Sequence, residues 1–153
     1  MTTAVSFQSV EPRRLAAVHR AIAPGQVGAT WRPALDLVWQ FLRRQQGLHA
    51  GGHNVFLYRH PLQPGSPIEA DFGVEVTRGF AAEGEVREIF TPTGEAAVAV
   101  HIGPYDRMGE THAAIHAFVT AQKRALAGQS WEIYGDWSDD PARLETMIAY
   151  LLR

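Results

Sequence analysis

The chain has 153 residues, of which 46% are hydrophobic and 20% are charged, and this length suits one domain with a single core. A formal net charge of −2 without a run of Lys or Arg argues against a nucleic-acid-binding surface. The absence of cysteine excludes disulfides, thiolate metal sites and cysteine nucleophiles. No apolar stretch approaches the roughly 18 residues that cross a bilayer, and no signal peptide is evident, so we expect a cytoplasmic protein.

The first half of the chain predicts one long helix among strands. Residues 5–10 alternate as a strand does, and Glu11-Pro12 interrupts this pattern before it resumes. In the helix, Thr30 is a suitable N-cap and Gly47 a suitable stop. The four main elements are a strand at residues 14–22, a helix at 30–46, and strands at 55–58 and 72–76.

The second half repeats this pattern at an offset of 80 residues. The offset places Ala16-Ala17-Val18 on Ala96-Ala97-Val98 and Leu35 on Ile115, which indicates an internal repeat. The matching elements are a strand at residues 96–102, a helix at 106–126, and strands at 131–134 and 147–151. We therefore predict one domain, residues 1–153, made of two pseudo-symmetric β-α-β-β halves at about 5–80 and 85–153.

Two such halves predict an α+β fold, with one mostly antiparallel sheet, both long helices on one face and a ligand groove on the other. Alternation along the strands divides the side chains between these faces. The expected helix-side set is Val18, Ile22, Val55, Leu57, Phe72, Val74, Val76, Val98, Ile102, Trp131, Ile133, Ala149 and Leu151.

The opposite set combines large aromatic residues with two carboxylates. It contains Phe56, Tyr58, Glu75, His101, Glu132, Tyr134, Ile148 and Tyr150. A solvated sheet face normally carries small polar and charged residues, whereas small-molecule pockets are lined by aromatic rings with a few polar groups. We therefore expect these side chains to line the groove. An edge strand with a solvated Glu132 is the alternative interpretation.

Three segments resemble the GyrI-like small-molecule-binding domain: Gly103-Pro104-Tyr105, Trp131-Glu132-Ile133-Tyr134, and residues 146–151. That domain is the effector-binding domain of certain AraC-type and MerR-type regulators and is related to the SOUL haem-binding fold. The resemblance covers nearly the whole chain. It implies that Glu132 lies at the floor of an aromatic pocket and meets cationic lipophilic ligands, with Tyr105, Tyr134 and Tyr150 beside it.

The resemblance also implies two kinds of function. Some stand-alone members of the family are hydrolases that open cyclopropane rings of DNA-alkylating natural products, and others inhibit gyrase or neutralise toxins. No helix-turn-helix segment precedes residue 5, so we expect a free-standing sensor, sequestering protein or enzyme. Its expected partner is a small molecule rather than a nucleic acid or a membrane, with a regulator protein as a candidate second partner, and we expect no cofactor.

The chemistry of Glu132 fits both kinds of function. A carboxylate among aromatic rings is poorly solvated and needs a cation or hydrogen-bond donors as compensation. Tyrosine faces attract an organic cation by about 0.5 to 2 kcal/mol each. Alternatively, Glu132 acts as a general base for water, while Tyr134 or Tyr105 donates to a developing oxyanion. The residues alone leave binding and hydrolysis open.

We expect the histidines and tryptophans outside the groove set to have structural roles. His112 and His116 are four residues apart on the second helix, but no third ligand is evident, so we expect a pair without metal that faces solvent or lies at the helix border. His60 is expected in a loop. Trp31 and Trp39 fall on the apolar stripe of the first helix, where packing is their expected role, with contact to the groove edge as the alternative for one of them.

Overall fold

The secondary structure of the computed structural model, which describes all residues from Met1 to Arg153, closely follows the predicted element order. Its elements are β1 (Ser6–Val10), β2 (Arg14–Ile22), α1 (Val27–Arg43), β3 (Asn54–Arg59), β4 (Ile68–Glu75), β5 (Arg87–Phe90), β6 (Gly94–Ile102), α2 (Met108–Ala121), β7 (Leu126–Tyr134) and β8 (Glu145–Leu152). Short 3₁₀ turns precede α2 and β8. Neither α1 nor α2 combines the length and the hydropathy that crossing a bilayer requires.

The two halves join through their central strands into one sheet. The strand order is β1-β6-β8-β7-β3-β4-β2-β5, and every pairing is antiparallel. Strands β2, β4 and β3 of the first half are mirrored by β6, β8 and β7 of the second, and β3 pairs with β7 at the centre. The predicted α+β fold with one antiparallel sheet is therefore confirmed, and β5 is an additional edge strand.

The helix boundaries differ from the predicted ones at both helices. Helix α1 begins at Val27, so Thr30 lies inside its first turn, where the Thr30 hydroxyl donates to the carbonyl oxygen of Gln26 at 2.7 Å. Helix α2 ends at Ala121, because Lys123 adopts a positive φ of 57° and the chain turns into β7. Both helices are therefore shorter at their C-terminal ends than the sequence pattern indicates.

The position of the helices corrects the prediction that the groove lies on the opposite face of the sheet. One row across the sheet runs Val18, Phe72, Phe56, Glu132, Ile148, Ala99, each residue opposite the next. Side chains opposite one another share a face. The first three pack with α1, and Ile148 and Ala99 pack with α2 residues. The helices therefore flank Glu132 on its own face, and the groove lies between them.

The physical reason for this correction is the register of the central strands. The expected helix-side set grouped Val55 and Leu57 with Phe72, but the register places Phe56 opposite Phe72. Both faces of these strands are apolar, so alternation alone did not show which residues share a face. A shift by one residue moves every side chain of a strand to the other face.

The face without helices is a second core. It contains Leu15, Ala17, Val55, Leu57, Ala96, Val98, Trp131, Ile133 and Ala149. Val55 and Leu57 have no exposed surface although no helix covers them. Val10 of one outer strand and Ile89 of the other pack against the same cluster, so side chains from both edges of the sheet help to bury this face.

Candidate functional site

A cavity of about 620 Å³ opens between the two helices above the central strands β3 and β7. Its polar and aromatic floor comes from strand residues that point toward the helices: Phe56, Tyr58, Glu132 and Tyr134. Trp31 and Trp39 of α1 form one wall, and Tyr105 and Met108 at the start of α2 lie opposite. The cavity therefore lies at the junction of the two halves, where the strand register places Phe56 beside Glu132.

Glu132 is the buried carboxylate of this cavity, with only 6% of its surface exposed. The Tyr134 hydroxyl donates to its Oε1 at 2.7 Å, and the Tyr58 hydroxyl reaches the same oxygen at 3.4 Å. Its Oε2 lies 2.8 Å from Nε2 of His112, and no Lys or Arg forms an ion pair with it. Two phenols and one imidazole therefore compensate the carboxylate, while a full positive charge from Lys or Arg is missing.

His112 links this carboxylate to Tyr150. Its Nδ1 lies 2.7 Å from the Tyr150 hydroxyl, while Nε2 faces Glu132. A neutral imidazole with its proton on Nε2 satisfies both contacts, because Nε2 then donates to Glu132 and Nδ1 accepts from Tyr150. Of the two positions expected for His112, facing solvent or at the helix border, the structure shows the second, since its side chain is 25% exposed and holds Glu132 from α2.

Burial keeps the surrounding phenols protonated. It raises the pKa of Tyr134 and of Tyr58, and the nearby Glu132 carboxylate adds to both shifts. Burial, with a smaller contribution from Glu132, raises the pKa of Tyr150 to about 12, although a hydrogen bond with Ser130 acts in the opposite direction. These hydroxyls therefore remain hydrogen-bond donors over the physiological range of pH.

The structure brings most of the predicted site residues together. Phe56, Tyr58, Tyr105, Glu132 and Tyr134 all line the cavity. The ring of Tyr134 lies 4.9 Å from that of Phe56 and 5.4 Å from that of Tyr105, measured between centroids. Tyr150 does not line this cavity but contacts Glu132 through His112.

Glu75 and His101 lie outside the cavity. Glu75 is opposite Leu15, which belongs to the face without helices, and its Oε2 pairs with Arg13 at 3.1 Å. His101 is buried under α2, where Nδ1 lies 2.9 Å from the Thr111 hydroxyl and Nε2 lies 2.8 Å from the Pro104 carbonyl oxygen. The strand register determines the position of Glu75, and the packing of α2 over the sheet determines that of His101.

Trp137 and His112 were not assigned to the site from the sequence, and for Trp31 and Trp39 packing was the expected role, with one of them able to reach the groove edge. Trp31 and Trp39 line the cavity from α1, and Trp137 lines it from the loop after β7 while remaining 72% exposed. The signal for His112 was its position three residues before the buried Ile115 on α2. A helix-border position of this kind faces the neighbouring strands as well as solvent.

Metal binding finds no support in the geometry. No group of three or more His, Asp or Glu side chains is arranged to hold an ion. Both ring nitrogens of His112 have hydrogen-bond partners within the protein.

Solved structures with the same architecture include a regulator domain, a ligand-bound protein and a hydrolase. The C-terminal domain of EcmrR superposes with a TM-score of 0.80 at 16% identity, over 98% of this chain and 97% of that domain. The structure of SAV2435 bound to tetraphenylphosphonium superposes with a TM-score of 0.73 at 12% identity, over 99% of this chain and 94% of that chain. A hydrolase from Listeria innocua superposes with a TM-score of 0.56 at 12% identity, over 97% of this chain and 91% of that chain. Identities this low show a shared fold.

The sequence itself matches one family along nearly its full length. No curated protein is detectably similar to the chain in sequence. The model of the GyrI-like small molecule binding domain, however, matches residues 3–151. The chain therefore belongs to the GyrI-like small molecule binding domain family.

Proposed function

We propose that the cavity between the helices binds bulky, apolar organic cations. The observation that carries this proposal is the state of Glu132, a buried carboxylate at the floor of an aromatic cavity with no Lys or Arg as partner. A ligand cation supplies the positive charge that the protein does not provide. The electrostatic interaction requires little directional precision, so ligands of different shapes fit the same site.

The size and lining of the cavity support the same class of ligand. A volume of about 620 Å³ lies in the middle of the range of about 300 to 1,000 Å³ for small-molecule sites. The aromatic rings of Tyr105 and Tyr134 line the cavity and can attract a cation as well as apolar groups. The binding of tetraphenylphosphonium, a lipophilic cation, by the similarly folded SAV2435 is in line with this proposal.

Calorimetry with two ions of matched shape tests the proposal. Tetraphenylphosphonium and tetraphenylborate present the same four phenyl rings with opposite charge. We expect tetraphenylphosphonium to bind at least about tenfold more tightly, because Glu132 attracts the first ion and repels the second. Equal affinities would show that apolar contact alone selects the ligand, and preference for tetraphenylborate would overturn the proposal.

Hydrolysis of strained electrophilic compounds is the second candidate function. It is favoured by the contact of 2.7 Å between Glu132 and the Tyr134 hydroxyl at the cavity floor. In that mechanism Glu132 accepts a proton from an attacking water, and a phenol donates to the oxyanion that develops on the substrate. The similarly folded protein from Listeria innocua that is described as a hydrolase is in line with this second candidate.

Mass spectrometry with catalytic amounts of protein separates this candidate from simple binding. A strained cyclopropane-containing electrophile incubated with the protein should gain the mass of one water over many turnovers. Tyr134→Phe should bind the compound much as the original protein does and hydrolyse it more slowly. Recovery of the compound unchanged would leave binding as the activity of the cavity.

A further inference from the structure

A second, smaller cavity of about 350 Å³ lies behind Tyr150. Helix α2 contributes His116, the loop after β3 contributes His60 and Leu62, and the start of β7 contributes Leu126 and Gln129. Tyr150 lines this cavity, while its hydroxyl contacts His112, which holds Glu132 at the floor of the larger cavity. The pair of Tyr150 and His112 thus connects two separate cavities.

An irregularity in the sheet builds this second cavity. The register between β7 and β8 shifts between Leu126 and Ser130, and Gly128 within this bulge has a positive φ of 89°. A side chain added at Gly128 would meet nothing within 4 Å, which shows the open space beside the backbone. Such bulges commonly lie next to functional sites, where they redirect the strand.

The ionisable side chains that line this cavity are basic or neutral. His60, His116 and Arg153 contribute to the lining, and no Asp or Glu does. The ring of His60 stacks on that of Tyr150 at 6.0 Å, and the ring of His116 meets it edge-on at 4.7 Å, both between centroids. The larger cavity is the electrostatic opposite, because it contains Glu132 and Asp136.

Apolar surface accompanies these basic groups. Leu62 lines the cavity while 95% of it is exposed, and Pro61 and Leu126 lie nearby. A volume of about 350 Å³ is at the lower end for ligand sites and suits a molecule with one ring. We propose that the second cavity binds a small aromatic carboxylate, with its ring beside Tyr150 and Leu62 and its carboxylate toward His60 and His116.

Proton uptake should accompany binding of this anion. Partial burial lowers the pKa of His60, and repulsion by His116 and His112 on α2 lowers it further. The other groups around His60 are Tyr150 of β8, the Ser130 hydroxyl of β7 at 2.7 Å, and Arg153. A bound carboxylate stabilises the charged imidazole and so opposes these shifts. Its affinity therefore rises as the pH falls through the range in which His60 takes up a proton.

Benzoate and benzyl alcohol provide matched probes for this cavity. Titrations followed by NMR should show saturable binding of benzoate, about three- to tenfold tighter at pH 6 than at pH 8. Benzyl alcohol has the same ring without the charge, and its weaker binding should not depend on pH. Benzoate should still bind, without competition, to protein saturated with tetraphenylphosphonium, because the two compounds occupy different cavities.

Substitution of the two histidines locates the site. His60→Gln and His116→Gln should each weaken benzoate by about two- to tenfold, and His60→Gln should also flatten its pH dependence. His19→Gln is the control, because His19 does not line this cavity and contacts Glu69 and Asp71 of β4 instead. The proposal is wrong if benzoate shows no saturable binding, binds no better than benzyl alcohol, is displaced by tetraphenylphosphonium, or loses as much affinity in His19→Gln.

Discussion

The Nε2 atom of His112 lies 2.8 Å from Oε2 of Glu132, so a side chain of α2 fixes the carboxylate that the central strand presents to the cavity. The same imidazole binds the Tyr150 hydroxyl at 2.7 Å through Nδ1. One residue therefore satisfies two buried polar groups on neighbouring strands and ties the second helix to the sheet. The orientation of Glu132 depends on this contact as much as on β7.

Loss of His112 should destabilise the protein because Glu132 and Tyr150 would each lose a buried partner. We expect His112→Leu to lower the free energy of unfolding by about 1 to 3 kcal/mol, measured by urea denaturation. His112→Gln should restore part of the loss, since its amide can donate to Glu132. His116→Leu provides the comparison, because His116 is more exposed and meets Tyr150 only edge-on. Equal effects of both leucine variants would argue against a special role for the hydrogen bonds.

Removal of the charge of Glu132 should weaken the binding of cations without weakening the binding of neutral compounds. We expect Glu132→Gln to weaken tetraphenylphosphonium binding by about 1 to 3 kcal/mol, the coulombic attraction between unit charges several ångströms apart at an effective dielectric constant of about 20. Triphenylmethanol, a neutral compound with three phenyl rings, should bind almost unchanged. Calorimetry measures both affinities. The matched control is Glu75→Gln, because Glu75 lies on the other face of the sheet and pairs with Arg13. Similar losses for the charged and the neutral compound in Glu132→Gln would mean that the carboxylate maintains the shape of the cavity.

The sequence predicted the site best where the relevant residues lie on one strand. Glu132 and Tyr134 are two apart on β7 and share a face by alternation alone. Glu75 was assigned to the same face, but its neighbour across the sheet is Leu15. Alternation divides the side chains of each strand between two faces, but it does not show which face of one strand continues which face of the next. The register between neighbouring strands determines this, and the register depends on turns and packing that a single sequence does not reveal.

Contacts between helices and strands could not be predicted from the sequence, for a different reason. The spacing of apolar residues predicts which stripe of α2 is buried, and Ile115 and Val119 are indeed in the core. His112 borders this stripe, and its partners are determined by the position of the helix over β7 and β8. The assignment of both helices to the face away from Glu132 therefore also concealed the role of His112.

Close packing of the loop before β3 makes Gly52 sensitive to substitution. A Cβ atom at Gly52 would lie 2.2 Å from the carbonyl oxygen of Glu75, so Gly52→Ala must displace backbone beside the larger cavity. We expect a loss of about 1 to 3 kcal/mol in the free energy of unfolding. Gly109→Ala in α2 is the matched control, because nothing lies within 4 Å of its Cβ and alanine favours helix by about 1 kcal/mol. Denaturation curves should therefore shift in opposite directions, and a shift of both in one direction would contradict this packing argument.

The tyrosines should make the protein lose stability at alkaline pH. All four tyrosines of the chain have a raised pKa, chiefly through burial. A raised pKa means that folding favours the neutral phenol, so this stabilisation is complete below the ordinary tyrosine value of about 10 and is lost as the pH rises beyond it. For Tyr150 the loss falls between about pH 10 and the folded-state pKa of about 12, and it amounts to about 2 to 3 kcal/mol.

Ultraviolet absorbance of tyrosinate measures this effect directly. Folded protein should form far less tyrosinate at pH 10 than protein unfolded in guanidinium chloride, in which about half of each phenol is ionised at that pH. Tyr150→Phe should show a smaller decrease in unfolding free energy between about pH 10 and 12 than the original protein, because one buried phenol no longer titrates. Tyr105→Phe serves as the control, since Tyr105 is 38% exposed and solvent screens its contribution. If folded and unfolded protein gave the same tyrosinate titration, the phenols around Glu132 would have to be open to water, and the buried cavity floor described here would be wrong.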